Sequence, residues 1–281
     1  MVTPVPIPNT EVKHFIGKYS YACHSETRKS PGNLELRSGV PFFYIFPVLC
    51  DTIDEMKTYR VLLLDADNTI LDFNSNEAAS LKRTFEAHGL PTTDEFLNRY
   101  REFNESLWRR LEQGEFDMAT LEKIRFEGFL KLTGLPGDPK AISDDLLFAL
   151  GQYGYLMEGA EEFCQKMSEK YTLVVASNGY EWMQKNRLAL GGILPYINKV
   201  YTSFEMGVSK PDIRFFEYIL KDLKISKEEA LMVGDSLTSD ILGASLAGID
   251  TAYVKKDPEL NPDLVTPNYV YTSLKELMVD L

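Results

Sequence analysis

Two carboxylates two positions apart in a loop can divide a reaction, one attacking an electrophile and the other moving a proton. Asp65-Ala66-Asp67-Asn68-Thr69 offers that pair directly after the apolar run Val61–Leu64. D-x-D-x-T fixes only three positions and gains weight from its place at a strand end, where open α/β sheets bind ligands. Without that place, the same residues make an Asx-turn of solvated carboxylates.

Three further segments carry groups of the same use, two of them at strand ends. Ser177-Asn178-Gly179 follows Leu173–Ala176. Its hydroxyl, its amide and a residue that lets backbone approach closely suit a phosphate, although S-N-G alone is an ordinary turn. Lys210-Pro211 puts an ammonium before an expected helix, where it can balance a phosphate and Asp65; in isolation such a lysine is a solvated surface residue. Gly234-Asp235-Ser236-Leu237-Thr238-Ser239-Asp240 follows Ala230–Val233 and adds two acids. Four carboxylates at one sheet edge repel each other, and a hard cation such as Mg²⁺ relieves that repulsion. Asp240 alone also reads as an acid favoured at a helix N-terminus.

These segments need strands to carry them. Short apolar runs bounded by polar or Gly residues occur at Val61–Leu64, Leu173–Ala176, Lys199–Thr202, Ala230–Val233, Thr251–Val254 and Tyr269–Tyr271. Fully buried parallel strands read this way. Helical text lies between them: Phe215 and Ile219 follow Pro211, a good first-turn residue, and Ser226 with Glu229 is a capping-box pattern. Strands alternating with helices imply an α/β fold with a doubly wound parallel sheet.

Residues from about Glu77 to Leu150 break the alternation. Ala78, Leu81 and Phe85 have helical spacing, with Gly89 as a stop; Phe96, Tyr100, Phe103, Leu107 and Leu111 continue it, and Ile142, Leu146, Leu147 and Leu150 form another stripe. The expected organisation is a sheet domain over 56–76 and 152–281 with a helical module, 77–151, inserted after the first strand. Residues 1–55 read differently, with six of the fourteen prolines and no clear period. They are expected to be a loosely ordered extension, or text ahead of a translation start at Met56.

Composition excludes other classes. With 30 Lys and Arg against 42 Asp and Glu, the net charge is −12, which disfavours a broad nucleic-acid surface. Cys23, Cys50 and Cys164 make neither an even disulfide framework nor a C-x-x-C zinc pair. The uncharged run Val40–Cys50 is broken by Pro41 and Pro47 and is too short to span a bilayer. A cytoplasmic setting without membrane attachment is expected; the oligomeric state is not readable.

In order and spacing, the four motifs resemble those of the haloacid dehalogenase (HAD) superfamily of phosphohydrolases, over about Tyr59 to Leu281. The resemblance implies a HAD-like, Rossmann-like core with an inserted α-helical cap of C1 type. The text around Asp65–Phe73, Ser177–Gly179 and Thr202–Asp212 is similar to the bacterial pyrimidine 5′-nucleotidase group. It implies that Asp65 is the nucleophile and Asp67 the general acid and base, with Thr69 supporting their loop. Ser177, Asn178 and Gly179 would hold phosphate oxygens, and Lys210 would stabilise charge. Mg²⁺ would sit on Asp65, the main-chain carbonyl of Asp67 and Asp235, with Asp240 in or near the next shell. The substrate would be a small phosphorylated metabolite, a nucleotide first.

Asp67 separates phosphatases from dehalogenases, whose first motif lacks it. Phosphoglycolate phosphatase or another small-metabolite phosphatase is the nearest rival, then a phosphomutase; intact motifs argue against a non-catalytic binding protein. Phe73, Tyr100, Phe103, Trp108 and Phe116 can stack on a base, though helically spaced aromatics equally make a core. Arg83, Arg99, Arg101, Arg109, Arg110 and Arg125 could serve an anionic leaving group. His88 reads as a helix-end residue, Cys164 as packing, and Asn104-Glu105-Ser106 as a glycosylation pattern without meaning in the cytoplasm.

Overall fold

The structure is a computed structural model that describes residues 59–258 and 260–281. The expectation for residues 1–55 lies outside the described residues. In chain order the elements are β1 (Val61–Leu64), α1 (Phe73–Ala87), α2 (Asp94–Glu112), α3 (Met118–Thr133), α4 (Pro139–Leu150), α5 (Ala160–Met167), β2 (Thr172–Ser177), α6 (Glu181–Leu190), β3 (Lys199–Thr202) and α7 (Ser203–Met206). Then follow α8 (Ile213–Leu223), β4 (Ala230–Gly234), α9 (Leu242–Leu246), β5 (Asp250–Val254), β6 (Tyr269–Tyr271) and α10 (Leu274–Asp280).

The six strands form one sheet in the order β3-β2-β1-β4-β5-β6, with every neighbouring pair parallel. The expected α/β doubly wound sheet is therefore present. From β1 the chain builds outward to β2 and β3 on one side, then returns to add β4, β5 and β6 on the other. That reversal opens a crevice beyond the carboxyl ends of β1 and β4, where such sheets bind ligands.

Both faces of the sheet are covered, so β1 is apolar throughout rather than alternating. Leu62, Leu64, Val175 and Val233 pack on Phe163 and Cys164 of α5 and Leu277 of α10. Val61, Leu63, Val174 and Met232 face Phe215, Phe216 and Ile219 of α8. The helix expected to begin at Pro211 starts two residues later. Asp212 is its N-cap, accepting from Arg214 N–H at 2.9 Å, so Pro211 precedes the cap instead of occupying the first turn. The capping box at Ser226 forms, with Ser226 N–H donating to Glu229 at 2.8 Å, but it closes only a single 3₁₀ turn before β4.

Between β1 and β2, α1 to α4 pack around an aromatic centre. Phe85 meets Tyr100 edge-on at 5.5 Å, and Tyr100 stacks on Phe126 at 5.3 Å. Gly89, at φ +65°, lets the chain leave α1: its N–H bonds Glu86 O, and Leu90 N–H reaches back to Phe85 O at 2.8 Å. Among the described residues, no helix is long and apolar enough to cross a membrane.

Candidate active site

β1 delivers its two carboxylates into different surroundings. Asp65 N–H still donates to Val233 O at 2.8 Å, so this residue belongs to the sheet edge and is buried. The chain then turns tightly: Ala66 O accepts from Ile70 and Leu71 N–H, while Asn68, at φ 61°, donates to Leu71 O. Asn enters that left-handed region more readily than most residues. The turn folds Thr69 back, and its Oγ1 donates to Asp65 Oδ2 at 3.3 Å. Asp67 points outward, its side chain 32% exposed.

Lys210 lies against Asp65 with its side chain 1% exposed. Its ammonium donates to Asp65 Oδ1 at 2.7 Å, Asp240 Oδ1 at 2.6 Å and Ala176 O at 2.7 Å. Asn178 fixes the backbone that carries it. The amide Nδ2 donates to Lys210 O and Oδ1 accepts from Lys210 N–H, both at 2.9 Å. The Asn178 side chain is thus a brace, which leaves only its main-chain N–H for the phosphate role expected of it. Glycine is required at 234, because a Cβ there would lie 2.3 Å from Asp240 Oδ2. Asp240 is held in that space by Ser236 N–H at 3.1 Å as well as by Lys210.

The charges are strongly coupled. Burial alone would weaken the hold of Lys210 on its proton, but Asp240 and Asp65 outweigh it and raise its pKa. Burial, then Asp240, pushes the Asp65 carboxyl well above the usual carboxylate range, with Lys210 opposing. The same two causes push Asp235 up to about 7. Asp65, Asp235 and Asp240 each bring an oxygen to within 4.8 Å of the others. Converging hard oxygens with raised proton affinity fit a divalent cation of the Mg²⁺ type. Asp240 lies within this cluster, with its two oxygens engaged by Lys210 and by Ser236 N–H.

Two residues that the sequence reading missed hold Asp67. Gln184 Nε2 donates to Asp67 Oδ2 and to Ser177 Oγ, both at 2.9 Å. Arg187, 1% exposed, forms an ion pair with Asp67, and the same Nη1 donates to Gln184 Oε1 at 3.1 Å. Both sit on the buried stripe of α6 with Met183 and Leu188. The signal was a polar pair in phase with apolar residues one turn after Ser177-Asn178-Gly179.

A cavity of about 330 Å³ opens over these groups. Asp65, Asp67, Ser177, Gly179, Lys210 and Asp235 line its sheet end. Phe73, Tyr100 and Trp108 line it from the helical side, whereas Phe103 and Phe116 pack beside Leu107 and Leu121 instead. Of the six arginines named from the sequence, Arg125 alone lines it. His88 ends α1 and pairs with Asp145 at 2.7 Å. Cys164 is buried in α5 with its thiol pushed up to about 12, which makes it inert packing.

A family model for haloacid dehalogenase-like hydrolases matches residues 59–248. The chain is 33% identical over 223 residues to the HAD-hydrolase YfnB of Bacillus subtilis (strain 168), covering 79% of this chain and 95% of that protein. It is 33% identical over 222 residues to the pyrimidine 5′-nucleotidase PynA of Streptococcus pneumoniae, covering 78% of this chain and 94% of PynA. A crystal structure of YfnB bound to magnesium superposes with a TM-score of 0.75, covering 80% of this chain and 99% of that one. Three strand-end motifs joined by Lys210 in one crevice, and a family match over most of the described residues, make this chain a haloacid dehalogenase-like hydrolase.

Proposed function

We propose that the protein is a Mg²⁺-dependent phosphomonoesterase, acting on nucleoside 5′-monophosphates and favouring pyrimidines. The observation that carries the reading is the unlike pair at the end of β1: Asp65 buried against Lys210, and Asp67 facing the cavity in the grip of α6. A nucleophile and a proton carrier need such separate settings. The relationship to PynA supports the nucleotide preference.

In this reading an Asp65 carboxylate oxygen attacks phosphorus in line as the ester P–O bond breaks. Asp67 delivers a proton to the leaving oxygen, and its carboxylate then takes a proton from the water that hydrolyses the aspartyl-phosphate. Ser177 Oγ and the main-chain N–H groups of Asn178 and Gly179 orient the phosphate oxygens. Lys210 holds Asp65 in place and offsets negative charge. Asp65, the Asp67 carbonyl and Asp235 would hold Mg²⁺, with Asp240 beside them. When bound, that ion neutralises charge on the phosphate and orients it.

Rival small-metabolite phosphatases are less favoured by the cavity. Phosphoglycolate carries a carboxylate that needs a surplus cation, and Arg125, the one arginine lining the cavity among the described residues, is accompanied there by Glu77 and Glu122. A phosphate-release screen with Mg²⁺ over UMP, dTMP, ribose 5-phosphate and phosphoglycolate tests the proposal. A higher kcat/KM for the nucleotides is expected; equal turnover of ribose 5-phosphate or phosphoglycolate would remove the nucleotidase assignment.

A further inference from the structure

We propose that Asn104, Glu122 and Arg125, which line the cavity from helices α2 and α3, form a polar patch that binds the hydrogen-bonding edge of a pyrimidine base. The inference rests on the nucleotidase reading and adds the residues that recognise the leaving group.

The first observation is a set of unmade hydrogen bonds. Tyr100 Oη, Asn104 Oδ1, Glu122 Oε1 and Arg125 Nε are buried polar atoms without a partner, and all four residues line the cavity. Tyr100, Asn104 and Arg125 are at least nine-tenths buried. Buried polar atoms are normally paired, and an unpaired one is costly. Four on one wall mark a surface built for a polar ligand.

The second observation is that the patch is positioned. Arg125 Nη2 donates to Ser143 Oγ at 3.0 Å, and the guanidinium lies 5.5 Å from the Phe126 ring centre. Asn104 and Tyr100 are one turn apart on α2, and Glu122 and Arg125 one turn apart on α3, so each pair shares a face. Rigid helices therefore present these groups.

The third observation is charge balance. Arg125 stands against Glu122, while Glu77 is engaged by Arg101 at 3.1 Å. The patch has no surplus cation to attract an anionic leaving group. Burial pushes the Glu122 carboxyl above its usual value, with Arg125 opposing, and a ligand N–H would relieve it. Amide, guanidinium and carboxylate together supply acceptors and donors, as the carbonyls and ring nitrogens of a pyrimidine require. Trp108, Leu121 and Leu147 line the cavity with apolar surface suited to a flat ring.

The test uses the full chain with Mg²⁺ and compares kcat/KM for UMP and ribose 5-phosphate in wild type, Asn104→Leu and Arg125→Lys. Inhibition of p-nitrophenyl phosphate hydrolysis by free uridine is measured in each. The UMP to ribose 5-phosphate ratio is expected to fall about tenfold in each variant, with weaker uridine inhibition, the usual worth of one buried hydrogen bond. Asn104→Ser replaces Asn104→Leu if the latter melts early. A ratio within about twofold of wild type in both variants, set against a wild-type preference for UMP, overturns this inference and leaves the nucleotidase reading standing. A wild type without preference for UMP overturns both.

Discussion

Asp65 and Asp67 are identical side chains that the surrounding atoms make unequal. Asp65 Oδ1 accepts from the Lys210 ammonium and Oδ2 from Thr69. An Asp65→Asn variant offers an amide that neither attacks phosphorus nor binds a hard cation well, and turnover is expected to vanish; near-normal phosphate release would contradict the assigned role. Asp67→Asn is expected to slow UMP hydrolysis by about 10²–10⁴-fold, the range for a positioned general acid. The loss should shrink with p-nitrophenyl phosphate, whose leaving group needs little protonation. An equal loss on both substrates would count against acid catalysis by Asp67. Both carboxylates were legible in the sequence because D-x-D-x-T followed a clean buried run. Arg187 was not, because a basic residue on a helix ordinarily faces water, and only the fold reveals that α6 turns it inward.

At the scale of elements, α6 is more than a cover for the sheet. Gln184 bridges Ser177 Oγ and Asp67, and Arg187 anchors the other oxygen of the same carboxylate. A displacement of about 1 Å at a catalytic group can cost on the order of 10²-fold, so Gln184→Leu and Arg187→Met are each expected to reduce kcat for UMP by about 10–100-fold. Because they act through Asp67, the deficit should be smaller with p-nitrophenyl phosphate, a dependence that loss of fold alone would not produce. Identical losses on both substrates would reduce α6 to a packing element. The central strands were readable from sequence since both faces of the sheet are covered there and β1 and β4 are buried throughout; β6, at the sheet edge, is only partly buried, with Val270 40% exposed, so the expectation of a fully buried strand fails there. Helix starts were harder to read: Pro211 suggested the opening of α8, yet the Asp212 side chain takes the N-cap and shifts it. The polar wall of the cavity was harder still, since Asn104 and Arg125 interrupt stripes whose apolar members already account for the helices.

The molecule as a whole gathers acids at one sheet edge, and that sets how its stability responds to pH and metal. In an unfolded chain Asp235 and Asp65 ionise near pH 4. In the folded protein the Asp65 carboxyl lies well above that, and Asp235 is pushed up to about 7. A raised carboxyl pKa means that the folded state binds the proton more tightly. For Asp235 the associated stability is full below about pH 4 and is lost as pH rises through about 7, and Asp65 contributes in the same direction. A divalent cation binds the ionised cluster and stabilises the folded state by mass action, in competition with those protons. The rise in Tm on replacing EDTA with MgCl₂ should therefore be larger at about pH 8 than at about pH 5.5. Asp235→Asn should raise the metal-free Tm at the higher pH, because one ionised group leaves the cluster, and should abolish most of the Mg²⁺ increment. Thermal melts of the two proteins at both pH values decide the matter: a Mg²⁺ increment independent of pH, or one that survives in Asp235→Asn, would show that the cation stabilises the protein from somewhere else.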